Sequence, residues 1–230
     1  MRYLIRAALL LSLMSVDAYA QDELGKVNSF VGNVDITVIS TGKRFIPRVG
    51  TVITSDHKIR TGNNSFIELL LNDRTKIFIR EVSVVSIAGL KLRESDPPTK
   101  VNVLTGKLRV TIRKTFKDRS FVLNTPTSVA GVRGTDFGVI ASSDETRLVV
   151  FEGRVEVANV RKDIIKTFVV EEKEEVSVAR NSPPTEPRAV PEDIMRTWFD
   201  YYDIDEDNRI IIRKKGDRGF LDNLLKKRDR

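Results

Sequence analysis

Imidazole chemistry has one place to occur in this chain, because His57 is the sole histidine and there is no cysteine. A catalytic or metal-bound imidazole needs a partner to hold its tautomer or share the ion. His57 stands in a turn ahead of a predicted strand, with no second His or any Cys to assist it. The lack of cysteine also excludes thiolate zinc sites, a Cys nucleophile, disulfides and a Cys lipid anchor. Carboxylate catalysis remains, and Asp136 with Glu152 is the pair to consider, since two carboxyl groups in a cleft can serve as acid and base. Both also read plainly as charged strand residues. Asp203-x-Asp205-x-Asp207 opens like a calcium loop, in which alternating carboxylates converge on one ion. Asn208 then replaces the turn glycine, and Lys214 stands where the closing carboxylate belongs. The triplet is a weak metal candidate, and no cofactor is expected.

Cations offer binding rather than catalysis. Lys107, Arg109 and Arg113 alternate with Leu108, Val110 and Ile112 and so share one face of a predicted strand. Lys76 with Arg80, and Lys91 with Arg93, repeat the theme. Such a stripe would suit the phosphates or carboxylates of envelope glycans. Charged strand faces also guard against aggregation, which is the blander reading. Arg133 either ties turn carbonyls together or presents its fork to an anion. Around it, Gly131 and Gly134 read as turn formers, Thr135 as a local hydrogen-bonding group and Phe137 as the anchor of the next strand.

The elements that position these residues begin after a leader. Arg2 and Arg6 precede an apolar run from Ala7 to Val16, and Ala18-Tyr19-Ala20 follows. This is the pattern of a secretory signal peptide, 1–20, cleaved after Ala20. Its apolar run is about half the ~20 residues needed to cross a bilayer. The expected location is therefore periplasmic or otherwise exported, where a basic chain of net charge +7 meets envelope anions rather than the genome. No nucleic-acid partner is expected; Gly131-x-x-Gly134 lacks the helices of an RNA-binding loop.

From 21 to 180, turn signals such as Gly32-Asn33, Gly62-Asn63-Asn64, Asn72-Asp73, Thr105-Gly106 and Glu152-Gly153 recur too closely for helices. The stretches between them are rich in Val, Ile, Thr and Phe. They predict an all-β domain, jelly-roll or sandwich-like or a rolled antiparallel structure. Phe66–Leu71, Ile77–Ile79 and Leu148–Phe151 are continuously apolar and suit strands covered on both faces. Two hairpins are expected near the end, Arg147–Phe151 with Arg154–Val157 and Phe168–Val170 with Val176–Val178.

Beyond the body, 181–191 is a proline-rich linker, extended and stiff. The tail, 192–230, reads as two short helices, one from Pro191 to about Tyr202 and one over Phe220–Lys227. Their apolar sides carry Trp198 and Tyr202, and Phe220 and Leu224; these pack on the body or on a partner. The tail is also segregated in charge, with seven acids against Arg196 over Glu192–Asp207 and nine bases against three acids over Arg209–Arg230.

The most specific string is Asn124-Thr125-Pro126-Thr127-Ser128-Val129-Ala130-Gly131-Val132-Arg133-Gly134-Thr135-Asp136-Phe137-Gly138-Val139. It resembles the signature of the FecR family, a Thr-Pro segment followed by Val-Arg-Gly-Thr-x-Phe. Ile59-Arg60-Thr61-Gly62 upstream and Val149-Val150-Phe151-Glu152-Gly153-Arg154-Val155-Glu156-Val157 downstream resemble the family's other elements in the same order. Two turns depart from the pattern, at Ser55-Asp56-His57-Lys58 and at Arg74, where a turn glycine is common. The resemblance implies an extracytoplasmic module with Arg133, Gly134, Thr135 and Phe137 as signature residues. The family's sigma regulators carry a cytoplasmic segment and a membrane helix ahead of this domain, whereas here it follows a signal peptide, so no direct sigma-factor contact is expected. The expected function is that of a non-catalytic module binding an envelope or membrane protein, in signal relay or scaffolding. The alternative is a module for cell-wall or surface polysaccharide.

Overall fold

A computed structural model describes residues 23–89, 98–112, 121–198, 202–204 and 210–212. The strands are β1 (Glu23–Val31), β2 (Val34–Val38), β3 (Arg44–Phe45), β4 (Val52–Thr54), β5 (His57–Thr61), β6 (Phe66–Leu71), β7 (Lys76–Ile79), β8 (Val84–Gly89), β9 (Thr99–Thr111), β10 (Phe121–Asn124), β11 (Ser128–Val132), β12 (Asp136–Ala141), β13 (Glu145–Glu152), β14 (Arg154–Asn159), β15 (Thr167–Glu171), β16 (Glu174–Ala179) and β17 (Arg188–Ala189). A short helix, α1 (Glu192–Arg196), and a hairpin of β18 (Tyr202–Ile204) and β19 (Ile210–Ile212) follow.

The ladders divide the body into two sheets that share one long strand. The first runs β4-β1-β6-β7-β9-β12-β13-β16-β17. The second runs β3-β2-β5-β8-β9-β10-β11-β14-β15. The N-terminal half of β9 belongs to the second sheet and the C-terminal half to the first. The alternation along β9 is as expected, with Leu108, Val110 and Ile112 buried and Lys107, Arg109 and Thr111 on the opposite side. The inner faces of both sheets close over one hydrophobic cluster that includes Ile36, Ile59, Leu69, Ile79, Val101, Leu108, Leu123, Phe137 and Val150. The ladders are antiparallel except that β10 runs parallel to β9. This follows from β9's change of sheet: the chain leaves it in the first sheet and returns in the second, beside the half of β9 it had left.

Both expected hairpins fail for a common reason. β13 pairs with β12 and β16 in the first sheet, whereas β14 pairs with β11 and β15 in the second. The chain turns a corner between sheets at Gly153 instead of folding back within one, and the step from β15 to β16 crosses again. The single residue between β13 and β14 is one short of the commonest hairpin loop. The prediction of strands covered on both sides holds for Leu148–Phe151, all buried, but not for β6, where Leu70 is exposed. Arg74 adopts φ of 66°, so the turn keeps the left-handed conformation for which glycine is the usual choice. His57 lies half-buried beside Phe45, and its Nδ1 accepts a hydrogen bond from the Thr54 amide at 3.2 Å. Burial lowers its pKa, opposed in part by the nearby Asp56 carboxylate.

The segment expected as a linker is laid against the body. Thr185 exchanges hydrogen bonds with Ser177, Pro184 and Val190 are buried, and Arg188–Ala189 add β17 to the first sheet. The first tail helix is α1 alone, five residues long, and Tyr202 lies in β18 rather than on a helix. Backbone pairing between Tyr202–Ile204 and Ile210–Ile212 wins because both segments carry β-prone residues. The second expected helix, with Phe220 and Leu224, lies outside the described residues.

Candidate functional site

The signature builds two ties between the sheets. At one end of the body the chain leaves β11, passes Arg133-Gly134-Thr135 and enters β12 in the other sheet. The buried Thr135 hydroxyl lies 3.0 Å from each of the Arg133 and Arg154 carbonyls. It thereby joins this crossing to the neighbouring one at Gly153, whose φ is 87°. Phe137, fully buried, meets the ring of Phe121 edge-on at 6.1 Å. At the other end, the Thr-Pro segment supplies a buried hydroxyl cluster. Thr125 and Thr127 each lie 2.7 Å from the Thr146 hydroxyl of β13, and the Ser128 amide donates to Thr125 Oγ1 at 2.8 Å. Thr135 and Phe137 are thus inside the fold, Gly134 is half-buried, and Arg133 is exposed. Arg133 makes no side-chain hydrogen bond or ion pair with the described residues, so it does not brace the loop. Gly131 is not a turn former either; it sits in mid-strand, outside the left-handed region.

The basic strand face has a cover. Arg109 grips Asp136 with both nitrogens, Nε to Oδ1 at 2.9 Å and Nη2 to Oδ2 at 2.6 Å, and lies over the Phe151 ring. Lys107 Nζ stands 4.1 Å from the centroid of the Trp198 ring. Trp198 is 6% exposed and packs with Val149, Phe151 and Val190, with Met195 at the margin. Arg80 donates to the Thr197 carbonyl at 3.1 Å. The indole lies flat on Gly138, where an added Cβ would come within 2.5 Å of the ring. Trp198 therefore docks on this chain's own first sheet. Asp136 faces Glu152 across β12 and β13, but its carboxylate is held in the Arg109 fork.

This docking makes a direct prediction. Gly138→Val fills the seat of the indole without disturbing the inner face of the sheet. Because Trp198 is the only tryptophan, its emission reads the tail alone. Emission is expected to move to the red and become quenchable by iodide, while the body's unfolding free energy changes by no more than about 1–2 kcal/mol. Unchanged emission would show that the seat is not on Gly138.

Among the described residues the outer face of the second sheet carries a groove of about 520 Å³, lined by Phe121, Val122, Gly131, Val132, Arg133, Arg154, Glu156 and Val169. The register sets Val122, Gly131, Glu156 and Val169 in one row across β10, β11, β14 and β15. Arg154 and Val169 escaped the sequence reading because nothing local marks them, and they reach Arg133 and Gly131 only through this register. Arg113, Asp205 and Asp207 lie outside the described residues, and Asp203 lies in β18. Among the described residues no group of His, Asp and Glu is arranged to hold a metal ion.

The FecR protein family matches the chain over residues 57–156, from the start of β5 into β14. The match takes in the crossings on either side of Phe137 and agrees with the resemblance carried by the signature. Two crystal structures, at 1.65 and 2.50 Å resolution, of a candidate anti-sigma factor from Parabacteroides distasonis ATCC 8503 are similar to this chain. Each has 16% identity and a TM-score of 0.52 over 64% of this chain, and 68% and 67% of the crystallised chains are covered. At that identity the likeness is one of fold. No curated protein matches significantly.

Proposed function

We propose that the chain is an exported, non-catalytic FecR-like signalling module that binds a protein partner of the cell envelope. The observation that carries this reading is the family match over 57–156. The similarity to a protein described as an anti-sigma factor supports a place in signalling. Export rests on the leader, 1–20, and makes a membrane protein the natural relay to any sigma factor, with no direct contact from this chain. The residues that chemistry would use are committed within the fold: Asp136 to Arg109, Thr135 to two carbonyls, Lys107 to Trp198. The same commitments weigh against the polysaccharide reading, because two of its three cations are engaged inside the chain.

Crosslinking in intact cells of the source, followed by mass spectrometry, tests the proposal. A defined envelope protein is expected among the crosslinked products, both with the full chain and with residues after Trp198 removed, which leaves β17 and the Trp198 contact in place. Recovery of glycan or lipid fragments without a protein would overturn it in favour of the polysaccharide reading. Capture that depends on the tail would place the contact beyond Trp198 instead of on the body.

A further inference from the structure

Two residues of the signature have no task in holding the fold, and both line the groove on the second sheet. Gly131 lies in mid-strand, and a Cβ there would meet nothing within 4 Å. A glycine inside a strand forgoes packing and costs backbone entropy, and one reason to keep it is the close approach of another backbone or ligand. Arg133 is exposed and lacks a side-chain partner among the described residues. The β11–β14 ladder ends at the Val132–Val155 pair, one residue before Arg133 on one strand and next to Arg154 on the other, and both arginines line the groove. Arg154 is also without a side-chain partner among the described residues. Like charges set opposite each other across strands are unfavourable until an anion comes between them.

The surroundings narrow the ligand. Val122 stands beside Gly131 along the row and Val169, 49% exposed, lies beyond Glu156, so the groove offers apolar side chains on both sides of one carboxylate. Glu156 stands beside Gly131 and Glu171 beside Arg154, though neither makes an ion pair with the arginines. These carboxylates admit one negative group at the arginine end and repel a polyanion such as a phosphorylated glycan. The chain's own neighbouring segments do not fit: 113–120 carries four bases against Asp118, and 213–230 is also basic. The acidic run after Trp198 starts from the outer face of the other sheet.

We infer that this groove binds an extended peptide segment of a protein partner, seating an apolar side chain over Gly131 and a carboxylate between Arg133 and Arg154. The inference rests on the protein-binding reading above and specifies the chemistry of the contact.

The test pans random short peptides displayed on phage against the mature full chain and measures the enriched peptides by fluorescence anisotropy. Enriched peptides are expected to share an Asp or Glu near an apolar residue. Binding is expected to weaken about tenfold or more in Gly131→Val and in Arg133→Glu, and to be unaffected by Lys162→Glu on a distant exposed turn. Both groove variants should remain folded: Gly131→Val adds a β-branched side chain to an open strand position and melts no lower than the parent. Enrichment without acidic residues, or equal binding to Gly131→Val, overturns the inference. So does displacement of the peptides by a synthetic 199–212 segment, which would make the chain's own tail the occupant. If these results are negative while an envelope protein is still crosslinked, the contact lies elsewhere and the signalling module stands. If no protein is crosslinked at all, the functional reading itself fails.

Discussion

Gly106→Ala is expected to destabilise the body by more than about 4 kcal/mol, a large share of the ~5–15 kcal/mol that holds an ordinary domain together. β9 must change sheets at this residue, and it does so with φ of 114°, a region that L side chains rarely adopt. Space is equally restrictive. An added Cβ would stand 2.5 Å from the Ser83 Cα and closer still to its side chain. Backbone cannot swing away as a flexible side chain can, and Ser83 is itself pinned. Its amide donates to the Thr61 hydroxyl oxygen at 3.0 Å, and its own hydroxyl donates to the Glu81 carbonyl at 3.0 Å and accepts from the Lys107 amide at 3.1 Å. The strand pairs on both sides of the bend, β8 and β10 before it and β7 and β12 after it, all depend on the same residue. Circular dichroism and urea titration check the outcome. Ser83→Gly in the Gly106→Ala background should recover only part of the loss, because it removes the side-chain clash and leaves the close contact with the residue 83 Cα and the unfavourable φ. A Gly106→Ala protein melting within a few degrees of the parent would show that β9 can bend without glycine.

Much of the architecture is legible in the sequence because strand and turn signals are local. The alternation of Lys107 to Ile112 is a property of a half-buried strand, and it reappears as the two sides of β9. Which strand pairs with which is not local. Glu152-Gly153 has the composition of a hairpin turn, yet Gly153 serves a crossing between sheets, because the register of β13 is taken by β12 and β16. The run Leu148–Phe151 reads as covered on both faces, and it is, but its outer cover is Val190 and Trp198, from a segment that reads as linker and tail. The site was legible in part. The signature string marks Arg133, whereas its neighbours in the groove come from strands more than one turn away in sequence. Gly131 misled for the opposite reason: glycine next to Arg-Gly-Thr has the composition of a turn, and its actual role, an open place in a strand, depends on what stands above the sheet.

Thr135→Val is expected to cost about 2–3 kcal/mol, because it keeps the shape of the side chain and removes the hydroxyl whose one proton is shared between two backbone carbonyls. Valine has nothing to offer either carbonyl, and the site is 1% exposed, so water gains little access. For a domain of this size the change corresponds to a fall of roughly 5–12 °C in melting temperature. The position is sensitive because two sheet crossings meet there. The Ile112 amide donates to the Thr135 carbonyl at 3.0 Å, and Gly153 turns so closely against the threonine that an added Cβ would stand 2.9 Å from its hydroxyl and 3.1 Å from the Gly134 carbonyl. Thr135→Ser separates the hydrogen bonds from the packing: it retains the hydroxyl, loses one methyl group, and should cost no more than about 1 kcal/mol. A parallel arrangement occurs in the first half of the body, where the Thr61 hydroxyl donates to the Arg80 carbonyl at 2.6 Å and receives the Ser83 amide. Thr61→Val is therefore expected to fall in the same range as Thr135→Val. A Ser variant less stable than the Val variant at Thr135 would mean that the methyl group, not the hydroxyl, holds the crossing together.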